Sequence, residues 1–207
     1  MFISFEGADG AGKSTQAKLL VDRIKKSGRA VLHVREPGGT PLGEELRRIL
    51  KSGEAIQARA ELFLFEAARA ELVERVIQPA IARHDIVIAD RFTDSTVAYQ
   101  AYGRGLPLDE VVAANRTATG GVMPDLTFLL DLSYETASAR SDGRDRKSPG
   151  PRRFEDAPED FQRRVIEGYR AIAKSEPQRV IVIDASRSAD AVAADIWQHY
   201  QQRTALA

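Results

Sequence analysis

The segment that most restricts the fold of this chain is Gly7–Ser14, which matches the pattern G-x-x-x-x-G-K-[ST] at every position. A short apolar run, Phe2–Phe5, precedes it, and an amphipathic helical pattern, Thr15–Lys26, follows it. Glycines let a backbone wrap around an anion, and the loop N–H groups and the helix N-terminus both favour negative charge. The strand, loop and helix together predict a phosphate-binding loop and an α/β fold.

Two side chains of this loop have separate predicted roles. Lys13 is expected to bridge the β- and γ-phosphates of a nucleotide, and Ser14 to offer its hydroxyl to Mg²⁺. A second magnesium residue is predicted at Asp90, which ends the buried run Ile86–Ala89, although a carboxylate there also suits a helix cap. The residues predicted to bind the donor nucleotide through this loop are Gly7, Ala8, Asp9, Gly10, Ala11, Gly12, Lys13, Ser14 and Thr15.

Apolar runs and amphipathic segments alternate along the rest of the chain. Besides Phe2–Phe5 and Ile86–Ala89, the predicted strands are Ala30–Val34, Leu126–Leu130 and Val180–Ile183. The predicted helices after the first are Leu42–Leu50, Ala58–Arg83, Ser95–Tyr102, Leu108–Thr117, Tyr134–Arg140, Glu159–Lys174 and Ala189–Gln202. This alternation predicts a doubly wound, five-stranded parallel sheet flanked by helices, as in P-loop NTP hydrolases, within a single domain of residues 1–207.

The composition excludes several classes of protein. The chain has no cysteine, which rules out disulfides, thiolate metal sites and a cysteine nucleophile. Its 30 lysines and arginines balance 30 aspartates and glutamates, so net charge gives no reason to expect a nucleic acid partner. The apolar runs are too short to cross a bilayer, and the first residues lack the features of a signal peptide. We therefore expect a cytoplasmic protein with no membrane partner.

Separated arginines predict a second anion site facing the loop. Arg47 and Arg69 lie on predicted helices, and Arg91 follows Asp90 directly. Phe65 precedes Arg69 by one helical turn, so the two side chains share a face, although Phe65 also suits a core. No Asn-Lys-x-Asp element of a GTPase is present. A loop with two anion sites favours a small kinase, whereas a nucleotide-dependent switch would need only the first.

The polar segment 141–158 interrupts the alternation and is rich in arginine, glycine and proline. Composition alone fits a solvated excursion, but its position between two helices favours a functional lid. Its arginines are Arg144, Arg146, Arg152 and Arg153.

Several motifs together resemble the thymidylate kinase family over essentially the whole chain. They are the loop itself, Arg35-Glu36-Pro37-Gly38-Gly39-Thr40, Asp90-Arg91-Phe92, Ser95-Thr96-Val97-Ala98-Tyr99-Gln100, Pro124-Asp125-Leu126 and Leu130-Asp131-Leu132. The resemblance implies phosphorylation of dTMP to dTDP by ATP and Mg²⁺, in an enzyme that is a homodimer. The alternative left open is another P-loop nucleotide or deoxynucleoside kinase.

The resemblance also implies roles for individual residues. In the family pattern the position of Asp9 contacts the acceptor 3′-hydroxyl, and that of Tyr99 crowds the 2′ position. The remaining positions implied to bind dTMP are Glu36, Arg47, Phe65, Arg69, Arg91, Thr96 and Gln100. Phe65 would stack on thymine, Arg69, Thr96 and Gln100 would read its edge, and Arg47 and Arg91 would hold the acceptor phosphate.

On the donor side, the resemblance places Arg140 and the turn Asp184–Ser186 at the adenine. Some family members carry a catalytic arginine inside the loop, at the position of Gly10; here the resemblance assigns that role to the lid, with Arg153 as the first candidate. The expected catalytic residues are Asp9, Lys13, Arg91 and Arg153.

Overall fold

The computed structural model describes residues 1–52, 54–145, 154 and 157–205, with the side chains of 142–145 excepted. Five parallel strands form one sheet in the order β2-β3-β1-β4-β5. The strands are β1 (Phe2–Glu6), β2 (Val31–Arg35), β3 (Ile86–Asp90), β4 (Leu126–Asp131) and β5 (Val180–Asp184). The predicted sheet is confirmed, and β1, which leads into the P-loop, lies at its centre.

Helices cover both faces of the sheet. They are α1 (Lys13–Lys26), α2 (Pro41–Leu50), α3 (Ala58–Leu72), α4 (Gln78–Ala82), α5 (Thr93–Thr96), α6 (Leu108–Thr119), α7 (Tyr134–Asp145), α8 (Glu159–Ser175) and α9 (Ala189–Ala205), with two π-helices, π1 (Val73–Ile77) and π2 (Val97–Gly103). Among the described helices, none combines the length and apolar character needed to cross a bilayer.

Alternation along β1 divides its side chains between two cores. Ile3 and Phe5 pack on the side of α1 and α9, against residues such as Leu20 and Ile196. Phe2 packs on the opposite side with Leu72 and other residues of α3, π1 and α4. Because both faces are covered, the strands are apolar on both sides, which is why they read as continuous apolar runs in the sequence.

Three predicted helices differ in their details. The segment predicted as one helix, Ala58–Arg83, is helical without a break as far as Ala82. Its middle part, π1, is a π-helix that ends just before Pro79. Proline cannot donate the i→i−4 hydrogen bond, and a π turn is one way for a helix to accommodate that loss. The predicted helix Ser95–Tyr102 begins at Thr93 and is mostly π2, and the predicted helix Tyr134–Arg140 continues to Asp145. The first residues of the predicted lid are therefore helical.

Candidate active site

The P-loop bends between β1 and α1 with almost no room for a side chain at Gly7 or Gly10. A Cβ on Gly7 would lie 2.5 Å from the carbonyl oxygen of Leu130, and one on Gly10 would lie 2.3 Å from that of Ala137. Both glycines also have positive φ, 135° and 85°. The close approach of β4 to Gly7 and of α7 to Gly10 thus gives a structural reason for glycine at these two positions, of which only Gly7 belongs to the pattern. Gly10 cannot be replaced by arginine here without displacing α7.

Lys13 and Asp9 lie inside the loop. The Lys13 ammonium donates to the carbonyl oxygen of Ala8 at 2.9 Å and lies 4.0 Å from Asp9 Oδ1. Burial and the positive charge of Arg91 lower the pKa of Lys13 to about 8. Burial opposes ionisation of Asp9, but the charges of Arg91 and Lys13 outweigh it and hold the Asp9 pKa well below its usual range.

Ser14, at the start of α1, and Asp90, at the end of β3, meet at the carboxyl edge of the sheet. The Ser14 hydroxyl donates to Asp90 Oδ2. A hydroxyl and a carboxylate oxygen in contact are the hard ligands that Mg²⁺ prefers, and this cation usually takes one or two protein ligands beside phosphate oxygens and water. The pair therefore fits Mg²⁺. No cluster of three or more acidic, histidine or cysteine ligands exists among the described residues.

Arg91 connects the P-loop to Tyr99 of π2. Its Nη2 donates to Asp9 Oδ1 at 2.6 Å and to the Tyr99 hydroxyl at 3.3 Å, and its Nη1 donates to the carbonyl oxygen of Gly7 at 3.2 Å. The backbone of Arg91 has φ 71°, which is uncommon for a residue with a side chain. Strain of this kind tends to occur where a side chain must be aimed precisely, as at catalytic sites.

A buried group of polar residues holds Arg91 from behind. Nη1 of Arg91 also donates to Ser95 Oγ at 3.1 Å and to the Tyr169 hydroxyl at 3.0 Å. Ser95 donates in turn to Glu6 Oε2 at 2.5 Å, and the backbone N–H of Phe92 donates to Glu6 Oε1 at 2.7 Å. Sequence reasoning assigned no role to Glu6 or Tyr169. The position of Glu6 directly before the loop was the one available signal.

Asp9 and Tyr99 form a hydrogen-bonded pair. The Tyr99 hydroxyl donates to Asp9 Oδ2 at 3.1 Å. The two residues implied to contact the sugar therefore lie together, beside Arg91.

Arg47 is held by the loop between β2 and α2. Its Nη1 donates to the carbonyl oxygen of Pro37 at 2.9 Å. Burial and the nearby charge of Arg35 lower the pKa of Arg47, while Asp90 and Glu44 oppose that change. Several cationic groups thus converge on a half-buried side chain close to the end of β3, which is a favourable place for an anion.

Arg69 is 2% exposed and all five of its N–H donors contact protein atoms. Its partners are Glu36, Glu66, Asn115, Thr96 and the carbonyl oxygen of Phe92. The expected contact with a base carbonyl therefore requires one of these bonds to be shared or exchanged. Glu36 lies against Arg69, with Nη2 of Arg69 2.7 Å from Glu36 Oε2, and its contact with dTMP stays a prediction.

Phe65 and Gln100 are the two remaining residues predicted to contact the base. The Phe65 ring is partly buried, with its centroid 5.9 Å from the ring of Phe154, so it is not a fully enclosed core residue. Gln100 is 1% exposed and its Nε2 donates to Glu61 Oε1 at 2.8 Å. Glu61 and its partner Arg104 were not predicted from the sequence.

The predicted donor-side residues meet as well. Nη1 of Arg140 donates to the carbonyl oxygen of Ala185 at 2.8 Å, and its Nη2 donates to that of Ser186 at 3.2 Å. The helix and the loop that were expected to enclose an adenine are therefore joined by one side chain. The predicted catalytic residue Arg153, and the alternatives Arg146 and Arg152, lie outside the described residues, as does the side chain of Arg144.

The strand order, the P-loop and the guanidinium of Arg91 against that loop define a P-loop phosphotransferase of the small-kinase class. The sequence profile described as thymidylate kinase matches residues 5–196. The chain is 48% identical to the thymidylate kinase of a Synechococcus strain over 207 residues, covering 100% of this chain and 97% of that one. This chain belongs to the thymidylate kinase family.

Two further comparisons agree. The thymidylate kinase of Chlorobaculum tepidum is 50% identical over 191 residues, which cover 89% of each chain. The crystal structure of thymidylate kinase from Ehrlichia chaffeensis superposes with a TM-score of 0.77 at 33% identity, covering 97% of this chain and 98% of that chain.

Proposed function

We propose that this enzyme transfers the γ-phosphoryl group of ATP to dTMP, giving ADP and dTDP. The observation that carries the proposal is the position of Arg91, whose guanidinium contacts both the P-loop and the acceptor-side pair of Asp9 and Tyr99. A guanidinium at that point stabilises negative charge on both the acceptor phosphate and the phosphoryl group that is transferred. Family membership supports the same reaction.

The donor would bind along the P-loop, with its phosphates on the N–H groups of residues 7–15 and on Lys13. Arg140 and the loop that it contacts would pack against the adenine. On the acceptor side, Asp9 and Tyr99 would meet the sugar, and Arg47 and Arg91 the phosphate. Phe65 would stack on the thymine, and the residues that would read its edge are Arg69, Thr96 and Gln100.

Ser14 and Asp90 would hold Mg²⁺ at the carboxyl edge of the sheet, and the ion would supply positive charge to neutralise the phosphates of the donor. The support for this assignment is the direct contact between the two side chains.

The chemistry needs positioned charge rather than a base. An oxygen of the acceptor phosphate is already anionic, so it can form the new bond to the γ-phosphorus while the bond from that phosphorus to the bridging oxygen of ADP breaks. Charge spreads over the γ-phosphoryl oxygens during transfer, and preorganised cations stabilise it. Lys13 and Arg91 supply two of these, and Arg153, outside the described residues, is proposed to supply a third from the lid.

A coupled assay of ADP release tests the reaction, with dTMP, dUMP, UMP, dCMP, AMP and thymidine as acceptors. We expect the highest kcat/KM with dTMP. A preference for thymidine would instead support the alternative of a deoxynucleoside kinase. ATP binding without transfer to any acceptor would exclude a kinase and leave a nucleotide-binding protein.

Two neighbouring arginines of α2 allow the predicted contact with the acceptor phosphate to be tested, one as the test position and the other as its control. Arg47 is half-buried beside the cleft, whereas Arg48 is exposed and paired with Glu45. Arg47→Ala is expected to raise the KM for dTMP at least about tenfold, because a charge-assisted hydrogen bond to phosphate is lost. Arg48→Ala is expected to leave it within twofold. Equal effects would remove Arg47 from the acceptor site.

We further propose that the enzyme is a cytoplasmic homodimer. The support for the dimer is a surface formed by α2, α3 and α6, which pack side by side and carry exposed apolar side chains. Phe63 is 64% exposed and lies on the middle helix, α3. Light scattering should find a monomer for Phe63→Glu and an unchanged dimer for Leu19→Glu, which alters an exposed leucine of α1. A parent protein that is monomeric at assay concentration would refute the proposal.

A further inference from the structure

Two segments face each other across the end of the cleft that would hold the base. Helix α3 presents Glu61, Phe65 and Arg69 at intervals of four residues, so these side chains lie along one face. Opposite them, the segment formed by α5 and π2 presents Thr96 and Gln100. Nη2 of Arg69 donates to Thr96 Oγ1 at 2.8 Å, and Nε2 of Gln100 donates to Glu61 Oε1 at 2.8 Å. These two hydrogen bonds join α3 to the opposite segment at either end of their interface, and Phe65 lies between them along α3.

Glu61 is fully buried, with 0% of its surface exposed, and it is held by a guanidinium. Nε of Arg104 donates to Glu61 Oε1 and Nη2 of Arg104 donates to Oε2, each at 3.0 Å. A bidentate pair of this kind fixes the direction of a carboxylate. Both oxygens of Glu61 accept hydrogen bonds from Arg104, and the side of the Gln100 amide that faces Glu61 is its NH₂ group, which donates to Oε1.

The orientation of this amide has a chemical consequence. With Nε2 directed to Glu61, Oε1 of Gln100 is turned away from it. A glutamine whose amide was free to rotate could present either a donor or an acceptor to a ligand. Here only the acceptor is presented.

We propose that Glu61 is a positioning residue for base specificity, because it locks Gln100 as a hydrogen-bond acceptor. The inference rests on the proposed function, in which Gln100 reads the base. Thymine and uracil carry an N–H donor at ring position 3 and can satisfy Gln100 Oε1. Cytosine has a lone pair at that position, so two acceptors would face each other in a buried site. Leaving such groups unpaired is what allows a binding site to reject an analogue strongly.

The test compares kcat/KM for dTMP, dUMP and dCMP in the parent enzyme and in Glu61→Gln. The variant side chain has nearly the same shape but can donate as well as accept, so the Gln100 amide can turn over. We expect the preference for dTMP over dCMP to fall at least about tenfold, with the preference for dTMP over dUMP changing less than twofold. Glu110→Gln, which alters an exposed carboxylate of α6 paired with Arg59, is the matched control and should change neither ratio.

The remaining outcomes would overturn the proposal. Unchanged ratios would show that Glu61 does not set the amide, and equal losses for all three acceptors would give it a purely structural role. If circular dichroism shows that Glu61→Gln does not fold, the double variant Glu61→Gln/Arg104→Gln, which leaves neither charge alone, is judged by the same ratios. Failure of both to fold would assign Glu61 to the core. A parent enzyme inactive with dTMP would instead refute the proposed function.

Discussion

Nη2 of Arg91 donates a 2.6 Å hydrogen bond to Oδ1 of Asp9, which joins the end of β3 to the interior of the P-loop. The pair lies where donor and acceptor nucleotides would meet, and its geometry depends on the left-handed backbone of Arg91 and on the hydroxyls that surround its guanidinium. A side chain with so many directed contacts is preorganised, so little rearrangement would be needed when charge develops during transfer.

Replacing Arg91 with lysine is therefore expected to be costly even though the charge is kept. An ammonium group cannot contact the loop carbonyl, Asp9 and the tyrosine hydroxyls at the same time, because it lacks the planar fork of a guanidinium. We expect kcat/KM for dTMP to fall at least about 100-fold, the range found when a preorganised donor is removed. Arg83→Lys, at the C-terminal end of α4, serves as the control. A loss smaller than threefold in Arg91→Lys would contradict this role.

Asp90 is expected to govern the requirement for Mg²⁺. Asp90→Asn retains the shape of the side chain and a contact with Ser14 but removes the negative charge, so the half-saturating Mg²⁺ concentration should rise at least about tenfold. The measurement is the initial rate against Mg²⁺ at saturating ATP. Asp85→Asn, which alters an aspartate just before the amino end of the same strand, should leave the curve in place. Identical curves for both variants would exclude Asp90 from the metal site.

The sheet and the P-loop were predictable because both depend on local patterns. Continuous apolar runs identify strands buried on two faces, and the spacing of Gly7, Gly12 and Lys13 identifies the loop. The wider turns of π1 and π2 were not predictable, because an apolar period does not distinguish an α-helix from a short π segment. The end of α7 was missed for a related reason, since polar residues such as Asp142 resemble a loop in composition.

The sequence predicts which residues belong to the site more readily than it predicts the contacts between them. Glu61 and Gln100 are separated by 39 positions, and nothing in the sequence indicates that a carboxylate on one helix would orient an amide on another. Glu36 was predicted to bind dTMP, but the sequence did not indicate that it would also pair with Arg69. Pairings of this kind depend on tertiary packing, which a single sequence does not specify.

Comparing Gly10 with Gly28 tests why the P-loop needs glycine at position 10. The reason is either the lack of space for a Cβ or the positive φ. Gly10→Ala would bring a Cβ within 2.3 Å of the carbonyl oxygen of Ala137, in addition to the strain of its positive φ. Gly28 has nearly the same φ, 81°, but open space around it. We expect Gly28→Ala to cost about 1 kcal/mol in the free energy of unfolding, and Gly10→Ala to cost about 1–3 kcal/mol more. Urea denaturation measures both, and equal costs would show that α7 moves aside freely.

Glu6 should make the stability of the fold depend on pH. Burial, and then the negative charge of Asp94, raise its pKa from 4.5 to about 8, although Ser95, Arg91 and the Phe92 N–H favour the charged form. Because the folded state then holds a proton that the unfolded state releases, the contribution of Glu6 is complete below pH 4.5 and is lost as pH rises through about 8. The free energy of unfolding should therefore decline across this interval.

The variant Glu6→Gln isolates this contribution, because an amide keeps the contacts with Phe92 and Ser95 but does not titrate. Urea denaturation at several values between pH 5 and pH 8 should give a decline for the parent protein that is steeper than for the variant. Other buried carboxylates, such as Glu36 and Glu66, titrate in both proteins, so they cancel in the difference. Glu167→Gln, on the exposed side of α8, should follow the parent. If the parent and Glu6→Gln follow parallel curves, the Glu6 carboxyl is ionised throughout, and the hydrogen bonds that it accepts outweigh its burial.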